Sequence, residues 1–302
     1  MNKNRPLVTI VTPAYNQAEY LDETIRSVLA QTYENVEYIV IDDGSTDNTR
    51  EAMKKWADKV KCLSHKNMGQ ANTLNKGWEM ASGELLGYLS SDDLLDPTAI
   101  ERLVDHYEGS PSVIFGGYRL IDQDGNTIKS KRIPFHGYRD MVEQFVCPIG
   151  VGALFSRSLF SEAGGWNPAL RQIPDFDFWI RAGVNARFVK VDEDLGGFRV
   201  HTGSQTFASA SVAKADESVA SMREFFGKGK SGAGLLRQRA MAAALVFSGC
   251  LHLRSGRAGA AFSRFAQAVK EGGLQAFSLN NLQRIAGVCY AYLRYRYIRR
   301  QA

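Results

Sequence analysis

Val36-Glu37-Tyr38-Ile39-Val40-Ile41-Asp42-Asp43-Gly44-Ser45-Thr46-Asp47 reads as a strand, Val36 to Ile41, that ends on paired carboxylates and passes directly into a helix start. Read outward, the same alternation repeats on both sides. Upstream, Leu7 to Thr12 is a short β-branched run, and Leu21, Ile25, Val28 and Leu29 then fall at helical spacing. Asn16 with Glu19 three residues on has the form of a capping box for that helix. Downstream, Asp47 to Lys59 is helical with Ala52, Met53 and Trp56 on one face, Val60 to Ser64 is a strand, and Gln70 to Met80 is a helix that Gly83 can close. Leu85 to Leu89 is the next strand, and Pro97 opens the first turn of a helix through Ile100, Leu103 and Val104. Strands and helices alternating at this pitch predict an α/β fold: a mostly parallel, Rossmann-like sheet with helices on both faces. Such open sheets bind ligands at the carboxyl ends of their strands, where both Asp42-Asp43 and Asp92-Asp93 fall.

The pattern changes near Ser112. Val113 to Asp122, the turn Asp124-Gly125 and Thr127 to Ile133 predict a hairpin; Arg187 to Val191 and Gly197 to Val200 predict edge strands. Beyond Phe207 the signals are helical, broken by glycines at 227–234 and 272–273. This places the sheet-bearing domain at 1–210 and a C-terminal helical region at 211–302. Charge divides along the same line. Residues 221–302 carry fourteen Lys or Arg and two Glu, a balance of +12, whereas the first 220 carry 23 bases and 30 acids, a balance of −7. A basic tail on an acidic body points to an anionic partner surface for the tail.

Cys62, Cys147, Cys250 and Cys289 show no CxxC spacing, so they read as buried thiols of a reducing compartment. The first residues lack a signal-peptide core, and the longest mostly apolar run, Met241 to Leu251, falls short of the roughly 20 residues of a bilayer span. A cytoplasmic protein, peripheral at the inner face of the cell membrane, is expected.

Two carboxylate motifs carry the chemistry. In Asp42 to Asp47, Ser45 or Thr46 can serve as an N-cap with the acids in the first helical turn, and the same residues can meet a base or ribose. In Tyr88-Leu89-Ser90-Ser91-Asp92-Asp93, neighbouring side chains at a strand end point apart. One carboxylate can therefore accept from a ribose while the other ligates Mg or Mn, ions that take one or two carboxylates and fill their remaining sites with phosphate and water. Capping of the helix at Pro97 by Asp92, Asp93 and Asp96 is the structural alternative. No Walker motif is present, and Gly150-Val151-Gly152 lacks the third glycine of a dinucleotide fingerprint. His65, His106, His136 and His252 show no metal-ligand spacing and read as surface or packing residues.

Taken in order, Val8-Thr9-Ile10-Val11-Thr12-Pro13-Ala14-Tyr15-Asn16, Ser27-Val28-Leu29-Ala30-Gln31-Thr32, Ile41-Asp42-Asp43-Gly44-Ser45-Thr46-Asp47, Asn75-Lys76-Gly77 and Ser90-Ser91-Asp92-Asp93 resemble the family-two inverting glycosyltransferases of the GT-A fold. The likeness runs on through Gly164-Gly165-Trp166, Asp175-Phe176-Asp177-Phe178-Trp179-Ile180-Arg181 and Phe198-Arg199-Val200-His201, and covers roughly residues 6 to 206. It implies a metal-assisted hexosyl or related transferase that moves a sugar from a nucleotide-diphosphate donor to a hydroxyl on a saccharide or lipid-linked saccharide, in bacterial cell-envelope or extracellular polysaccharide synthesis. By the same resemblance Pro13 and Tyr15 line the nucleotide pocket, Asp43 reads the base and Asp92 meets the ribose. Asp93 holds Mn or Mg on the diphosphate, with His201 nearby, and Asp175 is the catalytic base. Pro174 stands where many members carry an acid, which keeps Asp177 as the runner-up for base; Ser90 replaces the first carboxylate of the metal motif.

Two other functions fit less of the chain. One is a sugar-nucleotide-binding scaffold without turnover. The other is a sugar-phosphate nucleotidyltransferase, whose expected Gly-rich basic loop Thr12 to Gln17 does not supply. In the tail, Tyr290, Tyr292, Tyr295 and Tyr297 interleave with Arg294, Arg296, Arg299 and Arg300, which suits a membrane headgroup layer. A helix packed on the body is the plain alternative, and nucleic acid is the least favoured partner.

Overall fold

The computed structural model describes residues 5–131, 134–201, 209–227 and 234–299, with 290–299 described by backbone alone. The tail tyrosines and arginines singled out above therefore lie outside the described side chains. The chain folds as two compact units: residues 1–135, 148–168 and 185–204 form the first, and residues 136–147, 169–184 and 205–302 the second.

The first unit holds the sheet. Its opening strands β1 (Val8–Ala14), β2 (Val36–Asp42), β3 (Lys61–Ser64) and β4 (Leu85–Tyr88) are parallel, as their alternation with helices α1 (Leu21–Leu29), α2 (Thr49–Lys54) and α3 (Gln70–Glu79) requires. A two-residue strand β5 (Leu94–Leu95) and helix α4 (Ala99–Val104) follow. The hairpin is β6 (Ser112–Ile121) and β7 (Thr127–Lys131), after which come β8 (Leu154–Ser156), helix α6 (Arg157–Ala163) and β9 (Arg187–Arg199); α5 (Tyr138–Gln144), between β7 and β8, belongs to the second unit. Among the described residues these strands form one nine-stranded sheet in the order β3-β2-β1-β4-β8-β6-β9-β5, with β7 paired to β6. β8, β7 and β5 run antiparallel to their neighbours, whereas β6 and β9 are parallel, so the sheet is mixed but mostly parallel.

All seven residues of β1 are buried, which a central strand covered on both faces demands. Val8 and Ile10 join Leu21, Ile25 and Val28 of α1 and Ile100 and Leu103 of α4 in one apolar core. Trp78 of α3, fully buried, donates its indole N–H to the Gly87 carbonyl of β4 at 3.1 Å. β1 pairs with β4 only as far as Val11, but with β2 as far as Ala14. The sheet thus opens beside the carboxyl ends of β1 and β4, where successive strands head to opposite sides. Pro13 sits in this stretch with a neighbour on one side only, a place where a missing N–H is tolerated.

Several sequence expectations change. Asn16 and Glu19 do not cap α1: the helix starts at Leu21 with no side-chain cap bond, and Asn16 takes a left-handed backbone at φ +53°. α3 ends at Glu79, and Gly83 lies beyond it with its N–H on the Thr9 hydroxyl at 2.8 Å. The two predicted edge strands are one continuous β9 between β6 and β5, with register shifts against β6 that account for the break in its apolar pattern. The short strands β5 and β8 carry no alternation long enough to read.

The second unit is helical: α5, then α7 (Pro174–Ala182), α8 (Val212–Gly227), α9 (Leu235–Arg254), α10 (Ala258–Gly272), a 3-10 turn (Gly273–Phe277) and α11 (Leu279–Arg299). α9 has Ala240 to Val246 wholly buried and is packed by α8, α10 and α11. Among the described residues no helix is long and apolar enough to cross a membrane. All four cysteines are free thiols.

Candidate active site

At the carboxyl ends of β1 and β2 the two adjacent aspartates do different work. Asp42, fully buried, accepts from Ser45 N–H (2.9 Å), Ser64 Oγ (2.8 Å) and Arg50 (3.2 Å). Burial alone would raise its carboxyl, but those bonds outweigh burial and hold it below the usual carboxylate range. It organises the turn. Asp43 points elsewhere: its two oxygens take the backbone N–H of Met68 (2.7 Å) and Gly69 (2.9 Å), at the entry to α3. A carboxylate offers about four lone-pair sites, so capacity remains for a ligand N–H. The turn residue Gly44 adopts φ +74°, and a Cβ there would stand 2.6 Å from Asn67 N, so the turn lies directly on the 65–67 backbone.

Tyr15, just after β1, is 47% exposed, a large aromatic surface at a strand end. Its neighbour Asn16 is latched across to the β2 turn: Asn16 N–H donates to Ser45 Oγ (3.0 Å) and Asn16 Oδ1 accepts from Thr46 N–H (2.8 Å). These bonds hold the left-handed backbone that the capping-box reading missed.

Beyond β4 the second pair of aspartates is built into a tight cluster with the end of β9. Asp93 is 5% exposed and accepts the Arg199 backbone N–H at 2.9 Å, while its own carbonyl accepts from Thr24 Oγ1 at 2.9 Å. Asp92 takes the Nε2 proton of His201 at 3.0 Å, and the His201 ring lies 4.9 Å from that of Tyr20. The guanidinium of Arg199, 0% exposed, donates to the Asp92 carbonyl (2.8 Å), the Gln123 carbonyl (2.7 Å) and Glu23 (2.5 Å). Arg199 thus fixes Asp92 and Asp93 with one backbone and one side-chain bond. Sequence reasoning gave it no role, because residues 106 positions apart share no local signal.

Burial, and then the adjacent Asp92 charge, push the Asp93 carboxyl well above the usual range. A divalent cation would relieve that cost. Among the described residues no three side chains gather as a self-sufficient metal site. A Mg- or Mn-type ion takes one or two carboxylates and fills its remaining sites with phosphate and water. Asp93 fits such an ion; His201 is engaged through Nε2 with the neighbouring Asp92.

Asn75 of α3 clamps the glycine-rich segment near α6. Its side chain accepts from Trp166 N–H and donates to the Trp166 carbonyl, both at 2.8 Å. Gly165, at φ +72°, leaves no room for more: an added Cβ would stand 2.4 Å from Asn75 Oδ1. Trp166 then packs edge-on to Trp78 and Tyr88.

In the second unit α7 begins with Pro174, so Asp175 falls in its first turn. Burial lifts the Asp175 carboxyl above its ordinary value, and the neighbouring Asp177 charge adds to this against backbone N–H bonds that lower it. Asp177 is 4% exposed and has both oxygens engaged, by Arg181 Nε at 2.8 Å and by Ser221 Oγ at 2.7 Å. Pro13, Tyr15, Asp43, Asp92, Asp93 and His201 all lie in the first unit, whereas Asp175 and Asp177 lie in the second.

Comparison with known proteins bears on the family and the fold. The sequence pattern described as Glycosyl transferase family 2 matches residues 9–164. An uncharacterized glycosyltransferase of Rickettsia conorii is 34% identical over 192 residues, 60% of this chain and 32% of that protein. One from Rickettsia typhi is 32% identical over 189 residues, 60% of this chain and 59% of its own length. The chain thus spans between about a third and three fifths of these relatives. The chondroitin synthase of Escherichia coli is 29% identical over 185 residues, 59% of this chain and 27% of that enzyme. Among solved structures, Staphylococcus aureus TarS 1–349 in complex with UDP-GlcNAc superposes with a TM-score of 0.68 at 14% identity, over 95% of this chain and 91% of that one. The mannosyltransferase PcManGT of Pyrobaculum calidifontis, in complex with GDP-Man and Mn2+, gives a TM-score of 0.61 at 18% identity, over 97% and 84% of the two chains.

Proposed function

The chain belongs to glycosyl transferase family 2, and from that premise we propose that it transfers a sugar from a nucleoside-diphosphate donor to a hydroxyl acceptor, with inversion at the anomeric carbon. The observation that carries this reading is the gathering of Tyr15, Asp43, Asp92 and Asp93 at the carboxyl ends of β1, β2 and β4, with Arg199 and His201 fixing the last pair.

The donor base stacks on Tyr15 beside Pro13, and Asp43 takes a base N–H with its remaining lone pairs. Asp92 accepts from the ribose. A Mn or Mg ion held by Asp93, with His201, would neutralise the charge that builds on the departing diphosphate. Asp175 takes the proton of the acceptor hydroxyl as that oxygen bonds to the anomeric carbon and the bond to the diphosphate breaks on the opposite face. Its raised affinity for a proton suits this work, whereas Asp177 is already spoken for by Arg181 and Ser221.

The acceptor is a saccharide or lipid-linked saccharide of cell-envelope or extracellular polysaccharide assembly, met at the cytoplasmic face of a membrane. Support for the membrane comes from the second unit. Phe262 on α10 is 70% exposed, and Leu274, Phe277 and Leu279 are 86%, 53% and 71% exposed in the next seventeen residues. Residues 235–302 carry eleven Lys or Arg and a single Glu. Exposed apolar side chains within a basic segment match an anionic lipid surface.

Thermal shift against a panel of nucleotide sugars with Mn tests the donor reading, since a ligand that binds the folded state raises its stability. One nucleotide sugar is expected to raise the melting temperature of the wild type in a Mn-dependent way, and Asp93→Ala to lose that dependence. An Asp93→Ala variant that kept both the shift and its Mn dependence would remove Asp93 from the metal site. Binding without product would favour the scaffold, and release of pyrophosphate from sugar phosphate and nucleotide the nucleotidyltransferase.

A further inference from the structure

We infer that Glu217 and Ser221 of α8 are positioning residues for Asp175, and that the C-terminal helices thereby take part in the transfer step. This rests on the reading of Asp175 as the base. Glu217 is 8% exposed, and its two oxygens accept successive backbone N–H groups, Arg171 at 2.9 Å and Gln172 at 2.6 Å. One helical turn on, Ser221, 2% exposed, donates to Asp177 at 2.7 Å. Residues four apart share a helix face, so one face of α8 grips the chain on both sides of Asp175: three and four residues before it, and two residues after.

The grip replaces the usual fixing of a helix start. α7 has Ile173 at its N-cap and no side-chain cap bond, so the entry to the helix is not held by its own sequence. Glu217 holds it instead. A buried carboxylate is costly unless it is hydrogen-bonded, and here both oxygens are satisfied by one short loop. α8 lies outside residues 9–164, the part of the chain matched to the family, so this contact belongs to the region beyond it.

A general base must come within about 2.6–3.2 Å of the proton that it takes. Misplacement by about 1 Å can cost roughly 100-fold in rate. Glu217→Gln keeps the shape of the side chain but turns an NH2 group toward one of the two backbone N–H donors. Ser221→Ala removes the second hold with a smaller change. Ser218→Ala is the control: it lies on the same helix, is 1% exposed, and donates at 2.9 Å to the Ala244 carbonyl of α9 rather than to residues 171–177.

The experiment measures kcat for transfer, donor Kd and thermal midpoint in Glu217→Gln, Ser221→Ala, Ser218→Ala and Asp175→Asn, all in the full chain. Glu217→Gln is expected to lose about 10- to 100-fold in kcat and Ser221→Ala several-fold, with donor Kd unchanged and with Ser218→Ala at the wild-type rate. Glu217→Gln and Ser221→Ala at full kcat, while Asp175→Asn is inactive, would overturn the positioning role alone. So would a Ser218→Ala variant as slow as they are, because the loss would then follow helix stability. An active Asp175→Asn would instead remove the base assignment on which the inference stands. Should Glu217→Gln fail to fold, Ser221→Ala against Ser218→Ala decides.

Discussion

Arg199 ties both aspartates of the Asp92-Asp93 pair to the end of β9. Its guanidinium is fully buried and spans Asp92, Gln123 and Glu23, while its backbone N–H orients Asp93. Lysine is no substitute, because a single ammonium cannot present a planar fork to three separated acceptors. Arg199→Lys is expected to lower stability by about 2 kcal/mol, the scale of a lost charge-assisted hydrogen bond, and to weaken nucleotide-sugar binding as the aspartate pair loosens. Urea unfolding and calorimetry with the donor check both; unchanged values in each would show that the fork does not hold the pair. The sequence made the aspartates visible as pairs at strand ends, where open sheets of this kind bind ligands. It did not reveal that Asp42 faces inward while Asp43 meets the 68–69 backbone. Nor did it reveal the left-handed Asn16, whose spacing to Glu19 imitates a helix cap but whose bonds run to Ser45 and Thr46.

At the level of elements, local periodicity made β1 to β4 and their helices readable, because strands and helices alternate along the chain. β9 was harder: its register shifts against β6 interrupt the apolar pattern, so one inner strand reads as two edge pieces. The helical tail was readable as helix, but not the polar network that ties its members. Asp216 of α8 accepts from Ser248 (2.7 Å) and His252 (3.2 Å) of α9 and from both Arg264 Nε (2.8 Å) and Nη2 (2.7 Å) of α10. Arg257 Nε donates to the other nitrogen of His252, Nδ1, at 2.9 Å. Burial would raise the Asp216 carboxyl, yet the bonds from Arg264, Ser248 and His252 hold it far below the ordinary value. Its contribution to stability is therefore complete above the unfolded pKa of about 3.9, and is lost as pH falls through the lower folded value. Asp216→Asn is expected to destabilise α8 to α10 by about 2 kcal/mol at neutral pH, from the loss of charge-assisted bonds. Hydrogen exchange should show faster opening of those helices at pH 7 and a smaller difference from wild type under strongly acid conditions. Equal protection at pH 7 would mean that the network is not what joins them.

On the scale of the whole molecule, the sequence showed a charge-divided chain, with an acidic body and a tail at +12. It could not show the grouping of segments 136–147 and 169–184 with the C-terminal helices, because those pairings join parts of the chain with no common pattern. Full-length protein is expected to bind anionic vesicles at low salt and to release them as salt screens the tail, and a chain cut before Ser231 should bind weakly. Full-length protein that ignored such vesicles at low salt would remove the membrane from the account. The central claim, sugar transfer with Asp175 as base, is tested most directly by measuring turnover and donor Kd together in Asp175→Asn, with the pH dependence of the wild type beside them. The amide keeps size and polarity but cannot take a proton, so turnover should fall about 100- to 10,000-fold while donor affinity stays close to that of the wild type. Because burial raises the Asp175 carboxyl, the wild-type rate should fall on the acid side at a pH above the ordinary aspartate range. Full turnover by Asp175→Asn, with a folded but inactive Asp177→Asn, would contradict the claim and move the base to Asp177.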